Sequence, residues 1–475
     1  MTAPRHYPFW LFGRPADGSH WEIRSPFDGA VVASVACAGP EQIQLAMTAM
    51  RDSGKELARL SAFERREICR KVYEGLVARQ EEFVYSIVLE AGKPIRTARA
   101  EVDRALTTFR LAVEESTRIA GMQLPVDIDS RSQNYHCIIQ RVPVGPCLFI
   151  TPFNFPLNLV AHKVAPALAC GCPFILKPSD RTPITALILG ELLSDSGLPS
   201  GSWSILPTPV ENVPRMVADP VIRLVSFTGS AAVGWNLQRL AIGKRIILEL
   251  GSNSAVAVEP DADLDSAVEL IVNGAFGYSG QSCISVQRIF LHQSIADNFI
   301  SELVARTRKL VVGSPIDQAT DVGPMIDEAA ARRIEEWIGE AVQGGAKVLT
   351  GGSRRGVFYE PTLLTNVPAD TRLVCEEAFG PVAVIETYID FERMLNRIND
   401  SDFGLQAGLF TRDLTKMHKA FATLEVGAVI INDVPTIRLD AMPYGGVKNS
   451  GLGREGVHFA IEHMTELKTL ITRKT

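Results

Sequence analysis

The chain has 475 residues, 46% hydrophobic and 21% charged, a balance that supports a large buried core and excludes an extensively disordered chain. A formal net charge of −6 with no long basic run gives nucleic acid and anionic membranes no electrostatic footing, which leaves small molecules as the default partners. No window approaches the roughly 18 continuous apolar residues of a spanning helix. The N-terminal MTAPRHYPFWLFGRPADG is interrupted by Pro8, Gly13 and Pro15 and lacks the features of a signal peptide, so a cytoplasmic protein is expected. The eight cysteines are dispersed, as thiols in a reducing compartment would be. The one close pair, Cys170 and Cys172, has no second Cys/His pair beside it, and no metal site is expected.

From Pro143 onward, short apolar strands alternate with amphipathic helices. CLFIT (147–151) reads as a strand followed by a helix over 157–171, and FILKP (174–178) with a helix over 183–195 repeats the unit. WSILP (203–207), a helix near 210–217, IRLVSF (222–227), a helix over 230–241 and RIILEL (245–250) extend the series. Such alternation predicts a parallel sheet covered by helices on both faces, with ligands beyond the carboxyl ends of its strands. SAVAVEP (254–260), a helix over 265–278, RIFLH (288–292), a helix over 296–310, then AVIET (383–387) and GLFT (408–411) predict a second α/β domain.

Two stretches fit neither series: VDIDSRSQNYHCIIQRV (126–142) and TELKTLITRK (465–474). Each can form a strand without an evident partner in chain order, and unpaired edges invite another subunit, so a homo-oligomer is expected. The literal G-x-G-x-x-G occurs once, at Gly451, Gly453 and Gly456. No strand is read before it and only residues 457–475 follow, too few for a βαβ unit of about 30 residues, so it reads as a glycine-rich loop. SFTGSAAVG, with Gly229 and Ser230 at a strand-to-helix turn, is the better phosphate loop, although Gly-Ser also serves there as a plain helix cap.

Four stretches carry the chemistry. TPFNFP puts Asn154 after one strand end, LKPSD puts Lys177 and Asp180 after the next, LELGS puts Glu249 at another, and GQSC puts Cys283 behind a helix end. Together with EEAFGP (376–381) and PYGGVKNSGLGRE (443–455), in this order and over nearly the full length, they resemble the aldehyde dehydrogenase superfamily, in its hydrolytic branch and closest to lactaldehyde-dehydrogenase-like members. The resemblance implies an α/β fold: a Rossmann-type cofactor domain (1–121 and 143–250), a second α/β catalytic domain (251–446) and a small β oligomerisation element (122–142 and 460–475) shared within a homodimer or homotetramer.

Carried over residue by residue, the resemblance makes Cys283 the nucleophile, Glu249 the general base and Asn154 the oxyanion donor beside the Cys283 N–H. A thiolate adds to the aldehyde to make a tetrahedral thiohemiacetal, hydride leaves for a nicotinamide, and the remaining thioester is hydrolysed by a water that Glu249 deprotonates. Lys177 is similar to the family lysine on the adenosine ribose, Glu377 to the carboxylate on the nicotinamide ribose, and Phe379 to the aromatic beside the nicotinamide. Thr151, Phe153, Ser179, Gly229, Ser230 and Leu250 complete the implied cofactor set. Asp180 would repel the 2′-phosphate of NADP, so NAD is preferred and NADP stays possible.

Phe153, Ser252 and Tyr444 depart from the common Trp, Gly and Phe of the family. The two arginines that hold a succinic semialdehyde carboxylate in relatives fall on His162 and Gly277, which argues against that substrate. His162 is a candidate substrate contact or a helix histidine satisfied by backbone. Arg438 is a candidate anion holder for a small hydroxy- or anion-bearing, lactaldehyde-like aldehyde, or an exposed loop cation. Two other functions compete: a cofactor-binding structural or regulatory protein of the same fold, and a cysteine hydrolase using a distant His.

Overall fold

The computed structural model describes residues 5–474. Eight strands form one sheet in the order Gly451–Leu452, Arg245–Glu249, Leu224–Thr228, Cys147–Ile150, Phe174–Lys177, Trp203–Ile205, Phe9–Leu11, Arg14–Ala16. The five central strands are parallel, and antiparallel strands close both edges. Cys147–Ile150 and Phe174–Lys177 are buried at every position, as expected of strands covered by helices on both faces. Chain order reverses between Cys147–Ile150 and Leu224–Thr228. Successive crossovers leave that switch point in opposite directions, opening a crevice beyond the carboxyl ends.

A second, seven-stranded sheet runs Lys347–Thr350, Thr362–Thr365, Val382–Tyr388, Arg288–His292, Ala255–Val258, Gln406–Phe410, Ala428–Ile431, parallel except at its first edge. Both alternating series are therefore present, with ends moved by a few residues. Between residues 38 and 116 the chain adds four helices that the strand–helix alternation did not reveal, Pro40–Leu57, Ala62–Ala78, Gln80–Ala91 and Ile95–Glu115.

The two stretches without an evident partner pair with each other. Thr465–Arg473 runs antiparallel to Tyr135–Pro143 over nine residues, and Met122–Leu124 adds a third strand. Separation by about 320 residues hid this pairing from chain order. No helix among the described residues is long and apolar enough to cross a membrane.

Candidate active site

The crevice at the switch point is a cavity of about 420 Å³ whose lining includes Phe153, Asn154, Gly229, Ser230, Glu249, Leu250, Cys283, Glu377, Phe379 and Arg438. Thr151, Lys177, Ser179 and Asp180 are not among its lining residues and lie at the carboxyl edge of the same sheet. Lys177 is largely buried there; burial pulls its ammonium below the usual lysine range, with Asp180 opposing.

Cys283 reaches the cavity through an unusual backbone. The helix Leu264–Phe276, capped by Asp263, stops at Gly277, and Tyr278, Ser279 and Gly280 then take left-handed φ of 49°, 56° and 66°. For tyrosine and serine this conformation is costly, on the order of 1 kcal/mol or more each. Surrounding bonds hold it: Tyr278 Oη donates to Ala91 O at 3.0 Å, Ser279 Oγ to Gly323 O at 2.7 Å, and Ile326 N donates to Gln281 Oε1 at 2.8 Å. At Gly280 a Cβ would meet the Gly380 carbonyl oxygen at 2.1 Å, so only glycine fits.

The Cys283 sulfur lies 3.5 Å from Glu249 Oε1 and 3.2 Å from Tyr444 Oη. Burial and the nearby Glu249 charge push its thiol well above the usual range, while the Tyr444 bond opposes them. Asn154 is buried, and its Nδ2 donates to Gln281 O at 3.0 Å, which fixes the amide over the cysteine loop. Among the described residues no hydrogen bond occupies the Cys283 N–H. Asn154 and Cys283 thus line the same cavity, each with an N–H that faces no carbonyl of its own strand or helix ladder.

Glu249 ends the strand Arg245–Glu249, is 2% exposed, and has no partner for Oε2. Burial, reinforced by the Glu455 charge and opposed by Arg438 and Lys163, raises its carboxyl to about 7. A carboxyl at that level can take a proton from water near neutral pH.

Behind Glu249 sits a buried charge network that the sequence reading missed. Lys163 Nζ donates to Ser226 Oγ and Thr228 Oγ1, both at 2.9 Å, and to Glu455 Oε1 at 2.7 Å; Arg438 Nη2 donates to Glu455 Oε2 at 3.0 Å. Burial pushes the Glu455 carboxyl up, yet Lys163 and Arg438 outweigh it and hold it at about 2. Glu455 belongs to the glycine stretch set aside as a loop, and that stretch also supplies the edge strand paired to Glu249. Arg438, read as a possible exposed cation, is instead buried against the Tyr444 ring, 3.8 Å from its centroid.

His162 does not line the cavity. Its Nε2 lies 3.0 Å from Asp440 Oδ1, which also accepts from Arg104 Nη2 at 2.9 Å, and burial with the Arg438 charge lowers the imidazole to about 4. Arg104 does line the cavity, and like Arg438 it has a buried Nε without a partner. A visible signal for Lys163 was an ammonium in the otherwise apolar LNLVAHKVAPALACG; for Arg104, on the Ile95–Glu115 helix, there was none.

The remaining wall suits a dinucleotide. Ser230 precedes the helix Ala231–Leu240, whose first turn has no side-chain cap, so its N–H groups face a ligand freely. Glu377 accepts from Ser252 N at 3.1 Å; burial raises it to about 7, and a Cβ on Gly251 would strike its carboxylate. Phe153 and Phe379 meet edge to face at 5.9 Å. The residues present thus fit a nicotinamide dinucleotide, with an uncapped helix N-terminus after Ser230, a carboxylate at Glu377 and two rings lining the same cavity as Cys283.

Comparison with known proteins places this geometry among relatives. The family described as "Aldehyde dehydrogenase family" matches residues 14–470. The chain is 42% identical over 473 residues, 99% of each chain, to 3-sulfolactaldehyde dehydrogenase of Priestia aryabhattai. It is 42% identical, with a TM-score of 0.98 and coverage of 100% and 99%, to the crystal structure of aldehyde dehydrogenase 21 from Physcomitrella patens in complex with the reaction product succinate. Glyceraldehyde-3-phosphate dehydrogenase GapN from Methanocaldococcus jannaschii, complexed with NADP, superposes with a TM-score of 0.91 at 36% identity, covering 95% of this chain and 99% of that one.

Proposed function

This chain belongs to the aldehyde dehydrogenase family and is an NAD(P)-dependent oxidoreductase of that family, and we propose that it oxidises a short aldehyde bearing an anion at its far end to the carboxylic acid. The observation that carries the substrate reading is the pair Arg104 and Arg438, both lining the cavity that holds Cys283, each with an unpartnered buried Nε. Guanidinium groups suit planar carboxylates and sulfonates. The relatives named above support the same class, since sulfolactaldehyde, succinate and glyceraldehyde 3-phosphate each carry an anion. The argument from His162 and Gly277 against a succinate-type substrate therefore loses its force, because Arg104 and Arg438 supply the cations from other elements.

In this reading the Cys283 sulfur bonds to the carbonyl carbon and the carbonyl pair moves to oxygen, where the Asn154 amide and the Cys283 N–H receive it. The bound nicotinamide cofactor supplies the acceptor for the hydride that leaves this carbon. Glu249, after passing the thiol proton it accepted to solvent, removes a proton from the water that attacks the resulting thioester, and the C–S pair returns to sulfur. The Gly229–Ser230 cradle, Lys177, Glu377 and Phe379 would hold the cofactor, with Asp180 favouring NAD over NADP. His162 orients Asp440 and through it Arg104.

Two measurements test this. Cys283→Ala should abolish aldehyde-dependent NAD(P)H formation; retained turnover would refute the covalent mechanism, and absence of turnover by the parent chain across an aldehyde panel would favour the structural or regulatory alternative. Arg104→Met should raise KM for an anion-bearing aldehyde about 10-fold or more, the scale of a lost charge-assisted bond, and leave an uncharged aldehyde of equal length nearly unaffected. Equal effects on both would remove the anion from the proposal.

The domain division and the homo-oligomer stay part of this proposal. The sheet formed by Met122–Leu124, Tyr135–Pro143 and Thr465–Arg473 leaves Met122, Leu124, Ile138, Leu467, Leu470 and Ile471 each at least 41% exposed, which supports a covered interface there. All eight cysteines are free thiols, in keeping with a cytoplasmic location.

A further inference from the structure

We infer that the Tyr444 hydroxyl is a catalytic group: it donates a hydrogen bond to the Cys283 sulfur whenever that sulfur carries negative charge, and the Arg438 guanidinium stacked on the ring strengthens the donor. The inference rests on Cys283 being the nucleophile. The phenol oxygen of Tyr444 lies 3.2 Å from the sulfur, and among the described residues the sulfur is that hydroxyl's one hydrogen-bond partner.

The phenol is built into the site rather than left in reach of it. Tyr444 is 2% exposed and packs with Ile284, Leu405 and Met442, which hold the ring in the wall of the cavity that Cys283 lines. Reciprocal backbone bonds between Tyr444 and Glu455, at 3.0 and 2.7 Å, fix the ring to the segment whose carboxylate holds Arg438. With the guanidinium 3.8 Å from the ring centroid, the cation draws density from the phenol and makes its O–H a better donor.

The direction of the bond follows from proton count. A neutral thiol can donate to the tyrosine oxygen. Once the thiol proton has gone to Glu249, 3.5 Å away, the sulfur has none left and Tyr444 alone can donate. The same bond serves twice. It stabilises the thiolate before the C–S bond forms, and again when the tetrahedral adduct of water and thioester collapses and the C–S electron pair returns to sulfur; Tyr444 keeps its proton throughout. The charged groups facing the sulfur are Glu249 and, farther off, Glu377, both of which disfavour its ionisation, and Arg438, which favours it. Without a donor of its own in so acidic a setting, the thiolate would be scarce near neutral pH.

The test is Tyr444→Phe, which removes one oxygen and keeps the ring. The rate of iodoacetamide alkylation at Cys283, read by peptide mass spectrometry from pH 6 to 10, should show its midpoint displaced upward by about one pH unit or more. Turnover of a saturating aldehyde should fall about 10- to 100-fold, the scale of a bond to a charged atom, with KM changed less than kcat. Site-specific 3-fluorotyrosine at 444, with a more acidic phenol, should move the alkylation midpoint the opposite way, and it carries the test if the phenylalanine variant folds poorly. An unchanged midpoint in both variants overturns the inference. If Cys283→Ala leaves turnover intact, the nucleophile assignment fails first; if that variant is dead and Tyr444→Phe matches the parent, only the tyrosine role fails.

Discussion

Replacing Glu249 by glutamine should slow hydrolysis and, at alkaline pH, make the folded chain more stable. The carboxyl is 2% exposed and rises from 4.5 to about 7, mainly through burial. A raised acid keeps in the folded state a proton that the unfolded chain has already lost, so its contribution to stability falls as pH climbs from about 4.5 to about 7 and stays low above that. At roughly 1.4 kcal/mol per pH unit, the penalty at pH 8 is about 3 kcal/mol. Glutamine has nearly the same shape and does not titrate. The Glu249→Gln variant should therefore exceed the parent by no more than about 1 kcal/mol near pH 5 in urea unfolding and by up to about 3 kcal/mol at pH 8. Other raised carboxyls, Glu90 and Glu377, are common to both chains and cancel in the difference. In rapid mixing the variant should keep a first-turnover burst of NAD(P)H and lose steady-state rate. A stability difference that does not change between pH 5 and pH 8 would refute the burial argument, and an unaltered steady-state rate would remove Glu249 as the base.

Three further outcomes follow from the same geometry. Glu455→Gln strands Lys163 and Arg438 as buried cations and should cost about 3–5 kcal/mol in denaturant unfolding; losing the Glu455 charge also lowers the Glu249 carboxyl, so the acid limb of kcat should move to lower pH. Asn154→Ala should reduce kcat about a hundredfold or more, measured at saturating aldehyde, with the fold intact by circular dichroism. In mass-spectrometric alkylation of the parent, Cys375, the one exposed cysteine, should label alongside Cys283, and only Cys283 should be protected by cofactor with aldehyde; the six buried thiols should stay unlabelled.

The alternating series was legible because each strand is short, apolar and followed by its own helix, so local pattern and global topology agree. That Cys283, Glu249 and Asn154 line one cavity was legible only through motifs matched to a family, since none of their sequence neighbours announces chemistry. What stayed hidden was relation across distance. Glu455 reaches Lys163 over 292 positions, and Arg104 meets Asp440 over 336. A lysine amid alanines and valines does hint at a buried partner, yet nothing local names it. The left-handed Tyr278 and Ser279 were equally invisible, because their strain is held by carbonyls of residues 91 and 323 rather than by their own propensities. The tail strand failed for the same reason: its pattern was read, its partner was not.

The missing side chain at Gly280 reaches beyond the cysteine loop. Because that position lies against the Gly380 carbonyl, the segment carrying Cys283 and the segment carrying Glu377 and Phe379 touch backbone to backbone and cannot be adjusted independently. For anyone grafting parts between homologous enzymes, residues 278–283 and 376–381 form a single interchangeable cassette. Transplanting one half from a donor with a different loop path would mismatch the pair, whereas moving both together would keep Cys283, Glu377 and Phe379 in register.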